Sequence, residues 1–139
     1  MTTNILFLCV HNAGRSQMAA GFVKSLGRSD IVVWSGGSEP RETINPVAVA
    51  AMTERGIDIA SQRPQRWTNA DITAADIIVT MGCGDSCPVI RGKRYEDWVV
   101  ADPAGHSLEV VRGIRDDIER RVLELVASLA TNESDSDHE

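Results

Sequence analysis

The chain has 139 residues and a net charge of −6, with 42% apolar and 24% charged side chains. That length fits one domain with a sizeable core, and the acidic balance argues against a nucleic-acid binder, which needs a basic face. No apolar run approaches the roughly 18 residues of a membrane span, and Met-Thr-Thr-Asn opens no secretory signal. The expected compartment is therefore the cytoplasm, with no membrane partner. Four carboxylates (Glu133, Asp135, Asp137 and Glu139) sit in the final stretch, so the body is only mildly acidic. A small anion remains an acceptable substrate, because it answers to local donors more than to net charge.

The apolar run Ile5-Leu6-Phe7-Leu8, ending at Cys9, suits a strand buried on both faces. Ser16 to Leu26 reads as a helix with Ala19, Phe22, Val23 and Leu26 on one face and Gly27 as its stop. Ile31-Val32-Val33-Trp34 is a second strand, closed by Gly36-Gly37. Asn45-Pro46 has the pattern of an N-cap with proline in the first helical position, and that helix is expected to run to about Arg55. Ile57 to Asn69 reads as loop with at most a helical turn. Asp76 to Met81 is a third buried strand, Gly82 to Tyr95 a long loop or a loop with a short helix, and Trp98 to Ala101 a fourth strand. Val111, Ile114, Ile118, Val122, Leu125 and Leu129 repeat at helical spacing, with Arg112, Arg115, Glu119 and Arg120 on the other faces. Residues 1–131 thus form one domain, and 132–139 read as an acidic, disordered tail. Trp34, Trp67 and Trp98 are expected in the core or a site wall.

Strands alternating with helices imply an α/β fold on a parallel sheet. Ligands bind such sheets at the carboxyl ends of the strands. Cys9, Cys83 and Asp102 each follow a predicted strand, so three chemically active residues fall on one edge.

Between the first strand and first helix lies Cys9-Val10-His11-Asn12-Ala13-Gly14-Arg15-Ser16. Small residues at Ala13 and Gly14 let a loop curl so that successive N–H groups point at an anion. The helix beginning near Ser16 adds its positive end. Arg15 can grip two oxygens of a tetrahedral oxyanion with its planar fork. Cys9 lies at the base of these donors, which favour its thiolate. Asn12 can brace the loop, and the Ser16 hydroxyl can donate to the Cys9 sulfur. Val10 to Ser16 are therefore the expected oxyanion-binding residues. Of two readings for His11, an electrostatic effect on Cys9 or a side chain pointing to solvent, the second is favoured.

The cysteine count is odd, which argues against a secreted disulfide framework. Cys83 and Cys87 lie four apart in Met81-Gly82-Cys83-Gly84-Asp85-Ser86-Cys87-Pro88. Zinc usually takes four ligands, and only His106 lies nearby in sequence, so no metal is expected. On a helix, residues four apart rise about 6 Å, within the Cα separations a disulfide accepts, so a redox pair fits better. No cofactor is implied. Asp102-Pro103 offers a carboxyl that can protonate a departing oxygen or cap a turn.

The loop resembles that of the low-molecular-weight protein tyrosine phosphatases and of the arsenate reductases built on the same fold. Arg15-Ser16-Gln17-Met18-Ala19, Ser35-Gly36-Gly37, Asn45-Pro46, Gly56-Ile57-Asp58-Ile59 and Asp102-Pro103-Ala104 are similar to the thiol-disulfide-coupled reductases, in an order that covers about Asn4 to Leu129. The resemblance implies a three-layer αβα fold on a four-stranded parallel sheet, with Cys9, Arg15, Cys83, Cys87 and Asp102 as catalytic residues. It implies arsenate as substrate, phosphate or sulfate as competing oxyanions, and thioredoxin as the partner that reduces the enzyme; a homodimer is allowed. Two departures stand out. The redox cysteines are usually farther apart in thioredoxin-linked relatives, and Ala20 stands where those relatives often carry a Glu of a monovalent-cation site, so no such site is expected. Rival readings are a tyrosine phosphatase, a reductase served by a small thiol such as mycothiol or glutathione, and a non-catalytic anion-sensing module.

Overall fold

The structure, a computed structural model, describes residues 2–82 and 92–137, with side chains of the last helix described as far as Leu129. Cys83 and Cys87 lie outside the described residues. Four strands, β1 (Thr3–Cys9), β2 (Ile31–Gly37), β3 (Ile77–Thr80) and β4 (Arg94–Asp97), form one sheet in the order β2-β1-β3-β4. All pairs are parallel. The helices are α1 (Arg15–Ser25), α2 (Pro46–Thr53), α3 (Asn69–Ala74) and α4 (Leu108–Asp137). This is the α/β architecture on a four-stranded parallel sheet that the resemblance implies.

The central strand has no polar face because both its faces are covered. Ile5, Phe7 and Cys9 join Ile77 and Val79 in the larger core, against α1, α2 and α4. Leu6 and Leu8 point the other way and meet Ile72, Ala75 and Ile78, with Trp34, Trp67 and Tyr95 packed on that cluster. The alternation is the two-residue period of a strand. Register aligns the active edge: Cys9 pairs with Gly37, Leu8 with Thr80 and Thr80 with Asp97. The loops after β1, β2, β3 and β4 therefore leave at one level. No helix among the described residues is long and apolar enough to cross a membrane.

Several expectations hold in detail. Asn45 caps α2 by accepting from the Val47 N–H at 2.9 Å, with Pro46 in the first turn. The stripe Val111, Ile114, Ile118, Val122, Leu125 and Leu129 on α4 is buried.

Others are corrected. The fourth strand lies at Arg94–Asp97 rather than Trp98 to Ala101. An edge strand needs little apolar character, whereas Trp98 and Val100 are buried from the loop that follows; Trp98 stacks at a tilt on Phe7, ring centroids 5.6 Å apart. Helix α3 was not anticipated; it is short and is fixed by a reciprocal capping box between Thr68 and Asp71. Helix α4 runs on through the stretch expected as a tail, to Asp137, because neither Gly nor Pro follows Leu129 to stop it.

Arg115, placed by periodicity on an outer face, is buried. Its guanidinium donates to the Ala51 carbonyl at 2.9 Å, to Glu54 at 2.8 Å and to Asp116 at 2.9 Å. Arg112 also grips Glu54, at 2.7 Å. These two arginines fasten α4 to the end of α2. Their hydrogen bonds hold the Glu54 carboxyl down from its ordinary 4.5 to about 2. A carboxyl depressed in the folded state stabilises the fold fully above its unfolded value, and that stabilisation is lost as pH falls toward the folded one. Glu54→Gln should accordingly lower Tm at pH 7 and flatten the fall of Tm between pH 4.5 and pH 2. Melting curves parallel to wild type across that window would show that the cluster adds nothing to stability.

Candidate active site

The loop from Cys9 to Arg15 owes its shape to where its carbonyls go. The Val10 carbonyl accepts from the Glu39 N–H at 2.8 Å, His11 from Arg41 N–H at 3.0 Å, and Ala13 from Asn45 N–H at 2.8 Å. The Asn12 carbonyl accepts from the Gln17 side chain at 2.9 Å, and Gly14 from Met18 N–H at 2.9 Å. Five consecutive carbonyls thus bond away from the loop. In a trans peptide the next N–H points opposite to its carbonyl, so the amides of residues 11 to 15 turn inward. The Asn12 amide reaches the Cys9 sulfur at 3.3 Å. The N-cap of α1, Gly14, makes no side-chain capping bond, which leaves the first amides of the helix for a ligand.

Cys9 is a free thiol, 2% exposed. Its sulfur lies 2.9 Å from the Ser16 hydroxyl. The Gln65 N–H, which can only donate, binds Asn12 Oδ1 at 2.9 Å, so Asn12 Nδ2 faces Ser16 Oγ at 2.7 Å. The Ser16 oxygen accepts there, which leaves its own proton free to serve a Cys9 thiolate. Asn12 has φ +49, a left-handed conformation that Asn tolerates better than most side chains.

Arg15 is buried on the first turn of α1. One guanidinium nitrogen lies 3.7 Å from Asp102 Oδ2 and another 3.5 Å from the Val100 carbonyl. The guanidinium rests against Gly82, where φ is +87 and any Cβ would collide with it. The positive φ favours glycine at the residue that precedes Cys83, and a side chain there would displace the guanidinium. Asp102 is half-exposed: Oδ2 faces Arg15, and Oδ1 accepts from the Ala104 N–H at 3.0 Å, the turn-capping role weighed in the sequence.

Cys9, His11, Arg15 and Asp102 line one pocket of about 290 Å³. His11 is not free in solvent. Its Nδ1 lies 3.1 Å from the Glu39 carbonyl, which can only accept, so Nδ1 carries the proton. The structure therefore gathers Cys9, the loop 10–16 and Asp102 as the sequence anticipated. Sequence reasoning missed Arg41, which lines the same pocket, and Gln17 and Gln65, which hold the loop from behind. No periodic pattern marks them, because they act through the fold rather than along the chain.

A buried thiol under a ring of inward amides, backed by an arginine and faced by an aspartate on a parallel sheet, is a geometry suited to holding an oxyanion. Residues 4–135 match the family described as low molecular weight phosphotyrosine protein phosphatase, and the chain belongs to that family. It is 39% identical over 129 residues, 91% of this chain and 98% of the relative, to the glutaredoxin arsenate reductase of Synechocystis sp.. Among solved structures it is similar to the thioredoxin-dependent arsenate reductase of Corynebacterium glutamicum, at 37% identity and TM-score 0.83. That match covers 94% of this chain and 63% of that one, so the present chain spans less than two thirds of that relative's length. It is also similar to an arginine phosphatase from Geobacillus stearothermophilus, at 25% identity and TM-score 0.84 over 96% of both chains.

Gly14 sets the distance between the loop and the Asp102 turn. A Cβ there would lie 2.6 Å from Pro103 Cγ. Gly14→Ala should displace that turn, cost about 1–3 kcal/mol of stability by overpacking and weaken phosphate binding several-fold in calorimetry. Unchanged phosphate affinity would mean that the turn does not help hold the anion.

Proposed function

We propose that this protein is an arsenate reductase that works through a thiol relay. The observation that carries the reading is the buried Cys9 sulfur within hydrogen-bond distance of Ser16 Oγ and accepting from the Asn12 N–H, beneath amides turned toward one point. Such a site holds a tetrahedral oxyanion and keeps its nucleophile as a thiolate. Arsenate sits in the loop with Arg15 on its outer oxygens. The Cys9 thiolate attacks arsenic, Asp102 protonates the departing oxygen, and water leaves behind a Cys9–As(V) adduct.

Reduction then requires two electrons, which two thiols supply. Cys83 as thiolate attacks the Cys9 sulfur; the S–As bond pair stays on arsenic, arsenite departs as As(III), and a Cys9–Cys83 disulfide forms. Cys87 attacks Cys83, Cys9 leaves as thiolate, and a Cys83–Cys87 disulfide remains. Thioredoxin reduces it. The names of the Synechocystis and Corynebacterium relatives support the arsenate chemistry, and the latter's thioredoxin dependence supports the reductant. The contact between Gly82 and Arg15 supports the relay, because the residue before Cys83 already lies against the anion site.

A phosphatase reading has one observation in its favour, the fold shared with an arginine phosphatase. It needs Cys9, Arg15 and Asp102 but has no use for Cys83 and Cys87. Reduced protein mixed with arsenate alone should lose two thiols per chain, release one arsenite and yield a Cys83–Cys87 link in the peptide map. In Cys87→Ser the trapped link should be Cys9–Cys83. Survival of all three thiols, with hydrolysis of an aryl phosphate, would replace the reductase with a phosphatase.

A further inference from the structure

Gln17 is almost fully buried, at 2% exposure, on α1 directly behind the anion loop. Buried amides must find partners, and the partners of this one fix its orientation. Its Nε2 lies 2.9 Å from the Asn12 carbonyl and 3.1 Å from the Arg63 carbonyl, which can only accept, and 3.0 Å from Asn12 Oδ1. Its Oε1 is therefore turned the other way, where it accepts from Gln62 Nε2 at 2.5 Å. Gln62 is fixed in turn by Lys24, an ammonium that can only donate, at 3.3 Å from Gln62 Oε1. Each amide is thus oriented by a neighbour with no choice of role.

Followed in order, every bond points the same way. Lys24 donates to Gln62, Gln62 to Gln17, Gln17 to Asn12, Asn12 to Ser16, and Ser16 to Cys9 when the sulfur is a thiolate. We infer that Lys24, Gln62 and Gln17 are positioning residues that polarise the Ser16 hydroxyl toward Cys9 and so favour its thiolate. Aligned hydrogen bonds in a low-dielectric interior strengthen one another. Here the cationic end lies at the surface on the last turn of α1 and the anionic end at the nucleophile. The inference rests on Cys9 reacting as a thiolate, the part of the proposed function that reductase and phosphatase share. Arg15, His11, Arg41 and Asp102 face the same pocket and add their own fields, but none of them belongs to the chain of bonds.

The test is the rate at which iodoacetamide alkylates Cys9 in the full-length protein from pH 5 to 9, read by mass spectrometry of the Cys9 peptide. The wild-type profile is the reference. Gln17→Leu breaks the chain at its centre and should move the profile to higher pH, slowing alkylation at pH 6 by up to about tenfold, the factor that one unit of displacement represents. Lys24→Met should shift it less, and Lys24→Arg should restore it. Should Gln17→Leu fail to fold, Gln62→Ala removes the preceding link from a partly exposed site and is read in the same way. Profiles within twofold of wild type for the folded variants, whatever their Tm, would overturn the inference and leave the chain a structural brace. Wild-type Cys9 that reacts no faster than a free thiol would instead sink the thiolate reading itself, and the inference with it.

Discussion

The site depends on one constraint, the direction of five consecutive peptide planes. An anion loop works only if its carbonyls are held elsewhere, because each carbonyl turned inward would replace a donor with a repulsive oxygen. Here three backbone N–H groups from the segment after β2 take the carbonyls of Val10, His11 and Ala13. Gln17 and the first turn of α1 take those of Asn12 and Gly14. The loop is thus shaped from outside, before any ligand arrives, which is the preorganisation that electrostatic catalysis requires.

That shaping accounts for the polar groups in the core. Among the described residues, and apart from Arg115, the buried polar side chains gather at one edge of the sheet: Asn12, Arg15, Ser16 and Gln17 in or behind the loop, and Ser35 near the end of β2. Each of the first four has a partner of defined role. Burying them with partners missing would cost more than the site returns. The left-handed backbone at Asn12 is tolerated because both ends of its amide are held.

Arg15 joins the remaining strands to the same point. Its guanidinium touches the loop after β3 through Gly82 and the loop after β4 through Val100 and Asp102. Gly82, the residue that leads into Cys83, therefore lies directly against that guanidinium. Phosphatase and reductase chemistry can share every part of this geometry as far as Gly82. On the proposed reading, what separates them is the chemistry of the residues that follow.

Much of this was legible in the sequence. The buried β1, the cap at Asn45-Pro46, the α4 stripe and the Cys9-to-Ser16 loop each obey a local rule: a period, a cap or a donor-rich turn. Such rules act over a few residues, and the chain states them directly. The α/β class and the common edge of Cys9 and Asp102 followed from them. The fourth strand, α3 and the burial of Arg115 did not, since an edge strand needs no apolar pattern and a buried arginine needs partners from another helix. Only the tertiary structure could bring Gln65 to Asn12, Gly82 to Arg15 and Lys24 through two glutamines toward the thiol. These contacts join residues that are distant in the chain or carry no periodic signal, and hydrogen-bond direction exists only once their partners are in place.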